Sequence, residues 1–249
     1  MSQFVFGSGS VFAIPASLSA TPAQFGTLQD VSVDFSFTNK ELLGQYQFPV
    51  AVGRGPGKIE GKAKAASFSA NFFNQAFFGV TPVAGETLSA LNEAHSVPGV
   101  STYTITITPP SSGVFLDDMG VVYSATGIVL QRVTSVAAAG QYSVNLATGI
   151  YTFFSADASA AVLISYSYTV AAAGYSAVLA NQLMGASPIF KIVLSNSYNN
   201  NNLTLELYQV TSSKLSLGFK NTDWSVPEFD FQAFTNAANN LGKLSLTTL

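Results

Sequence analysis

Between Leu28 and Phe37 the chain alternates with a period of two. Leu28, Asp30, Ser32, Asp34 and Ser36 fall on one side of an extended backbone, and Gln29, Val31, Val33, Phe35 and Phe37 on the other. A helix would scatter these apolar side chains around its circumference, whereas a strand gathers them on one face. Similar short runs recur through the 249 residues, so the chain is expected to be mainly β.

Composition then asks what covers so many strands. The sequence holds 20 Phe, 10 Tyr and one Trp, but its charged residues amount to only 9%, where an ordinary soluble domain carries roughly 25%. So few charges leave much of the surface poorly solvated unless copies of the chain cover one another, which points to an assembly protein ahead of an enzyme. The positive mean hydropathy raises the membrane alternative. No stretch reaches the about 20 consecutive apolar residues of a spanning helix. The closest, 156–183, is interrupted by Asp157, Gly174 and Asn181. Met1-Ser2-Gln3-Phe4 offers no basic segment leading into an apolar one, so an export signal, and with it an outer-membrane barrel, is not expected. The absence of cysteine excludes disulfides and thiolate metal sites and suits a reducing cytoplasm. A net charge of −3 argues against a basic groove for nucleic acid. The one basic cluster, Arg54, Lys58, Lys62 and Lys64, reads as a solvated or subunit-contacting strand edge.

Three regions differ in texture. The first, 1–98, contains the alternating run, a polar break at Thr38-Asn39-Lys40-Glu41, and an answering run at 45–52 that includes Gln45 and Gln47. Together these predict two antiparallel strands joined by a loop. Pro49 marks an edge or bulge, Gly53-Arg54-Gly55-Pro56-Gly57 reads as a turn, and 58–68 as a further strand. Residues 69–79 then change period: Phe72, Phe73, Ala76 and Phe77 share a helical face between a Ser69 cap and a Gly79 stop. In the middle region, 99–170, strands are expected at 101–107, 120–123, 128–133, 141–146, 150–154 and 161–169, with turn signals every ten to fifteen residues. That spacing suits a small immunoglobulin-like sandwich. The third region, 171–249, resumes the first region's mixture. A four-Asn hairpin tip at 199–202 lies between apolar strands, and further strands are expected at 214–220 and 226–234.

Little here suits chemistry. His95, the single histidine, lies in a segment that reads as a linker, and no Gly-x-Ser-x-Gly elbow is present. Asp117-Asp118 lacks the alternating acidic loop of an EF-hand and reads as a turn. Asp30 and Asp34, four apart on one strand, stand about 13 Å apart at strand rise, beyond the reach of a paired-carboxylate site. Gly53-x-Gly55-x-Gly57 leads into a strand pattern, not a helix, so no phosphate cradle is set up. No catalytic residue, metal site or cofactor is expected.

Three passages, in order, resemble a bacteriophage major tail tube protein. The first runs from Leu28-Gln29-Asp30-Val31 to Phe48-Pro49-Val50-Ala51-Val52. The second is Lys58-Ile59-Glu60-Gly61-Lys62-Ala63-Lys64, leading to Phe78-Gly79. The third starts at Asn181-Gln182-Leu183-Met184-Gly185, passes Pro188-Ile189-Phe190, and ends at Trp224-Ser225-Val226-Pro227-Glu228-Phe229-Asp230-Phe231-Gln232-Ala233. The resemblance implies a tail-tube-type β-sandwich or half-barrel flanked by a short α-helix, formed by 1–98 and 171–249, with 99–170 as an inserted Ig-like β-sandwich. It further implies a virion structural protein, made in the bacterial host cytoplasm, whose hexameric rings stack into a tube. Tape-measure protein and then double-stranded DNA occupy the lumen, and tail terminator and baseplate or tip proteins meet the tube ends. On that footing Asp30, Ser32, Asp34 and Ser36, with Gln45 and Gln47, are expected to line the lumen, and Arg54, Lys58, Lys62 and Lys64 to make ring-ring or subunit contacts. The alternatives are another virion β-sandwich (a tail terminator or capsid decoration protein) and a carbohydrate-binding module.

Overall fold

The computed structural model describes residues 6–16, 21–67, 77–80, 82–179 and 181–246. The protein is mainly β, and its strands separate into two compact units, one of 1–82 with 177–249 and one of 83–176.

The first unit is built on one eight-stranded antiparallel sheet. Its strands are β1 (Ser10–Pro15), β2 (Ala23–Gln24), β3 (Leu28–Leu43), β4 (Pro49–Ala65), β12 (Phe190–Tyr198), β13 (Asn201–Ser216), β14 (Glu228–Phe234) and β15 (Gly242–Leu246). They run in the order β2-β1-β12-β13-β14-β4-β3, with β15 extending the β14 side of β13. The alternation of Glu228-Phe229-Asp230-Phe231-Gln232-Ala233 shows why the sheet has one dry face. Phe229, Phe231 and Ala233 are buried, while their neighbours point the other way. Phe229 is the centre of the core, with the rings of Phe25, Phe77, Phe190 and Phe231 at 5.6–6.2 Å. Each such ring, fully buried, contributes about 1.5–3 kcal/mol of hydrophobic stabilisation. The sheet curls around this core. Val31 and Val33, on the edge strand β3, pack on the same cluster as Val11 of β1 and Ile192 and Leu194 of β12.

The second unit has a three-stranded sheet, β5 (Val83–Ser96), β11 (Ala161–Ser176) and β7 (Val114–Tyr123), in the order β5-β11-β7. A four-stranded sheet consists of β6 (Thr104–Thr106), β10 (Ile150–Phe153), β9 (Gln141–Asn145) and β8 (Gln131–Arg132), in that order. Ile105, Tyr142, Tyr151 and Phe153 from the second sheet share one core with Val121, Val162, Ile164, Tyr166 and Tyr168 from the first, making a β-sandwich.

Several expectations are corrected. Thr38-Asn39-Lys40-Glu41 is not a loop and 53–57 is not a turn: β3 and β4 run unbroken through both, joined only at 44–48. Cross-strand pairing overrides the local turn chemistry, and bulges absorb the mismatch between Phe37 and Asn39 and between Leu42 and Leu43. A further bulge between Leu28 and Asp30 turns Leu28 toward the core, away from Asp30. Residues 58–68 do not begin a new strand, because β4 already spans them to Ala65. The unit boundary lies at 82/83 and 176/177, not 98/99 and 170/171, because β5 pairs along β11 from Ser96↔Ala161 to Val83↔Ser176. His95 is therefore a strand residue opposite Val162, not part of a linker. Asp117 and Asp118 lie inside β7, where bulges let the ladder pass them. The expected strand at 214–220 ends as the tail of β13, at Ser216. Of the expected helix at 69–79, residues 69–76 lie outside the described residues and only its end, 77–79, is described. There Phe77 packs on Phe229, and Gly79, at φ +60°, has the left-handed backbone that a helix stop uses. Asn199 and Asn200 turn the β12–β13 hairpin with positive φ, as a four-Asn tip predicts.

Candidate functional site

On the face of the eight-stranded sheet opposite its core, β3 presents Asp30, Ser32, Asp34 and Ser36, all exposed. Their cross-strand neighbours on β4 are Lys64, Lys62, Glu60 and Lys58 respectively. The next strand, β14, places Glu228 beside Lys64, Asp230 beside Lys62 and Gln232 beside Glu60. On β13, Lys214 faces Asp230. Residues read as lumen-lining and residues read as subunit-contacting thus occupy one surface, because antiparallel register puts directly opposed side chains on the same face.

This surface is paired from within. Lys58 Nζ lies 2.8 Å from Glu60, and Lys62 contacts Glu228 with Asp230 at 3.9 Å. Farther along the sheet Lys191 meets Glu206 at 2.7 Å, with Lys243 opposite Glu206. The hydrogen bond to Glu228, reinforced by the charge of Asp230, raises the Lys62 ammonium above the ordinary lysine value. The same bond holds Glu228 below the usual carboxylate range, helped by Lys64 and Lys214, and Lys191 does likewise for Glu206. The face collects Lys58, Lys62, Lys64, Lys191, Lys214 and Lys243 against Asp30, Asp34, Glu60, Glu206, Glu228 and Asp230. That is six of the chain's 10 basic and six of its 13 acidic residues, and the two signs balance. A depression of about 490 Å³ at its centre is lined by Ser32, Asp34, Glu60, Lys62 and Asp230.

Three expected members lie elsewhere. Gln45 and Gln47 sit in the exposed 44–48 turn and not on a strand beside Asp30. Arg54 stacks its guanidinium 4.2 Å over the ring of Phe37, on the other side of the hairpin from the lysines. The bulge opposite Asn39 changes its facing, so the four basic residues are not one cluster. Conversely, the sequence alone does not mark Glu228, Asp230 and Lys214 as part of this surface. The signal was the alternation of 228–233, but only register could bring those residues beside Lys62.

Beyond Ile59 the β3–β4 hairpin runs past β14, whose pairing with β4 spans only Ile59 to Lys64. Its apolar side chains are bare: Tyr46, Phe48 and Val50 are 76%, 81% and 71% exposed, and Leu42, Leu43 and Val52 also face solvent. Along β3 the outer edge has no strand partner among the described residues.

In the second unit the polar groups turn inward. The Asp118 carboxylate, 2% exposed, accepts the hydroxyls of Tyr142 and Tyr151, each at 2.8 Å, and the Gly120 N–H at 3.1 Å, with Arg132 at 3.5 Å. Buried Asp157 accepts the Tyr123 hydroxyl and the Gly140 N–H. Burial, then the bond to Asp157, pushes the Tyr123 phenol up to about 12. Burial and the Asp118 bond push Tyr142 and Tyr151 higher still. Tyr166 donates to Glu93 at 2.6 Å, and His95 Nε2 lies 2.9 Å from the other oxygen of that carboxylate. These networks tie the sandwich together. Among the described residues no three His, Asp or Glu side chains converge as a metal set.

The chain matches no protein-family model. No curated protein matches it either.

Proposed function

We propose that the chain is a virion structural protein whose hexameric rings stack into a phage tail tube, with the charged face of the eight-stranded sheet toward a lumen that conducts double-stranded DNA. In this reading 83–176 is an inserted immunoglobulin-like module. The observation that carries the proposal is the bare β3–β4 hairpin. An exposed apolar arm next to an unpaired edge strand is an aggregation hazard in a monomer and an interface in an oligomer. The charge distribution supports it from the other side, because one sheet face keeps most of the ions, as a surface that stays wet requires.

A sugar-binding module would present flat rings to solvent. In the 83–176 unit every described aromatic ring except Tyr175, at its end, is buried or half-buried.

Electron microscopy of the purified protein tests the reading, and rings or tubes are expected. Phe48→Asp is expected to abolish them while circular dichroism stays unchanged, since the ring makes no contribution to the core. The emission of Trp224, 86% exposed in the single chain, provides a second readout wherever assembly covers it. A native chain that stays monomeric at high concentration ends this reading.

A further inference from the structure

The lysines of the charged face have the spacing of a polyanion site. Lys62 and Lys64 lie on one side of β14 and Lys214 on the other, all within cross-strand reach of its carboxylates. Duplex nucleic acid binds wherever several ammoniums are free to displace its counterions. Here they are not free. Lys62 is held by Glu228 and Asp230, and Glu228 also feels Lys64 and Lys214. Among the described residues Asp230 Oδ1 takes no hydrogen bond, and it acts on Lys62 through charge.

We propose that Glu228 and Asp230 mask a latent polyanion site made by Lys62, Lys64 and Lys214, so that this sheet face neither holds nor strongly repels the phosphates of duplex DNA. The inference rests on the tail-tube reading for its biological setting but not for its chemistry. A purely acidic wall would repel the duplex and a bare lysine row would grip it. Interleaving the two signs at cross-strand distance makes the potential fall off within a few ångströms of the surface, shorter than the Debye length of about 8 Å at physiological salt. Passage along such a face is then nearly independent of ionic strength.

The test is fluorescence anisotropy with a short labelled duplex DNA, in the native chain and in Phe48→Asp, which keeps copies apart. The parent proteins are expected to show no salt-dependent binding. Glu228→Gln with Asp230→Asn is expected to raise affinity at least tenfold, with a log–log salt slope near −3 for three uncovered lysines. Adding Lys62→Gln, Lys64→Gln and Lys214→Gln should return binding to the parental level. Unchanged affinity in a double variant with native circular dichroism overturns the proposal, as does a parent that already binds with that slope. If the double variant does not fold, Asp230→Asn alone makes the same comparison: a smaller rise supports masking, and no rise overturns it. The two readings fail separately. Tubes without unmasked binding sink only the masking, and unmasked binding by a strict monomer sinks only the tube.

Discussion

Asp118 shows how much one carboxylate decides in a chain with so few. Two tyrosine hydroxyls from the second sheet, on β9 and β10, meet this single acceptor on β7, so it bridges the two layers of the sandwich. A buried donor that loses its acceptor costs its full desolvation. Asp118→Ala leaves two of them and is expected to destabilise the protein by about 2–5 kcal/mol, read as a lower urea midpoint. Asp118→Asn keeps an accepting oxygen and is expected to cost less. Equal midpoints for Ala, Asn and the native chain would show that Asp118 is not the tie described. Nothing in the dipeptide Asp117-Asp118 signals this role, because the partners lie 24 and 33 residues away.

At the level of elements, the β3–β4 hairpin uses glycine against aromatic rings in two ways. Gly61 lies under the ring of Phe231, and an added Cβ would come within 2.1 Å of it. Gly57 lies under Phe37, where the nearest ring atoms would be 2.6 Å away. Rings laid over strand glycines restore the contact that a missing side chain forfeits. The costs of adding a methyl differ, because Phe231 is 1% exposed and cannot move, whereas Phe37 is 52% exposed and swings clear. Gly61→Ala is expected to cost about 1–3 kcal/mol by overpacking, and Gly57→Ala much less, in paired thermal melts. The reverse order would show that the hairpin base, not its arm, is the pliable part. The glycines of 53–57 read as turn formers for a local reason: their backbone freedom is equally useful in a bulged strand, and only the register with β3 distinguishes the two.

For the whole molecule, the second unit is joined to the first by two strand ends that pair with each other. Val83 lies opposite Ser176 and Ala84 opposite Tyr175. Antiparallel partners stand only about 5 Å apart, so a short linker can replace 83–176. The remaining chain keeps its own core of Phe25, Phe190, Phe229 and Phe231 and is expected to fold. On the tail-tube reading it should still form tubes. The excised unit, with its own aromatic core, is expected to melt cooperatively by itself. A shortened chain that is unfolded by circular dichroism would mean that the units are energetically one.

From local pattern alone the chain reads as mainly β, with one dry and one wet face per strand, because a period of two is a property of consecutive residues. The Asn tip at 199–202 and the wet row Asp30, Ser32, Asp34 and Ser36 are legible for the same reason. Register belongs to pairs of distant segments. It alone turned 38–41 and 53–57 into strand, moved 83–98 into the second unit, and gave Arg54 to Phe37. By setting Lys62 between Asp230 and Ser32, it also made an acidic row and a basic row into one balanced surface. Charge compensation is a sum over neighbours in space, and a chain read in order does not know its neighbours until the sheet has formed.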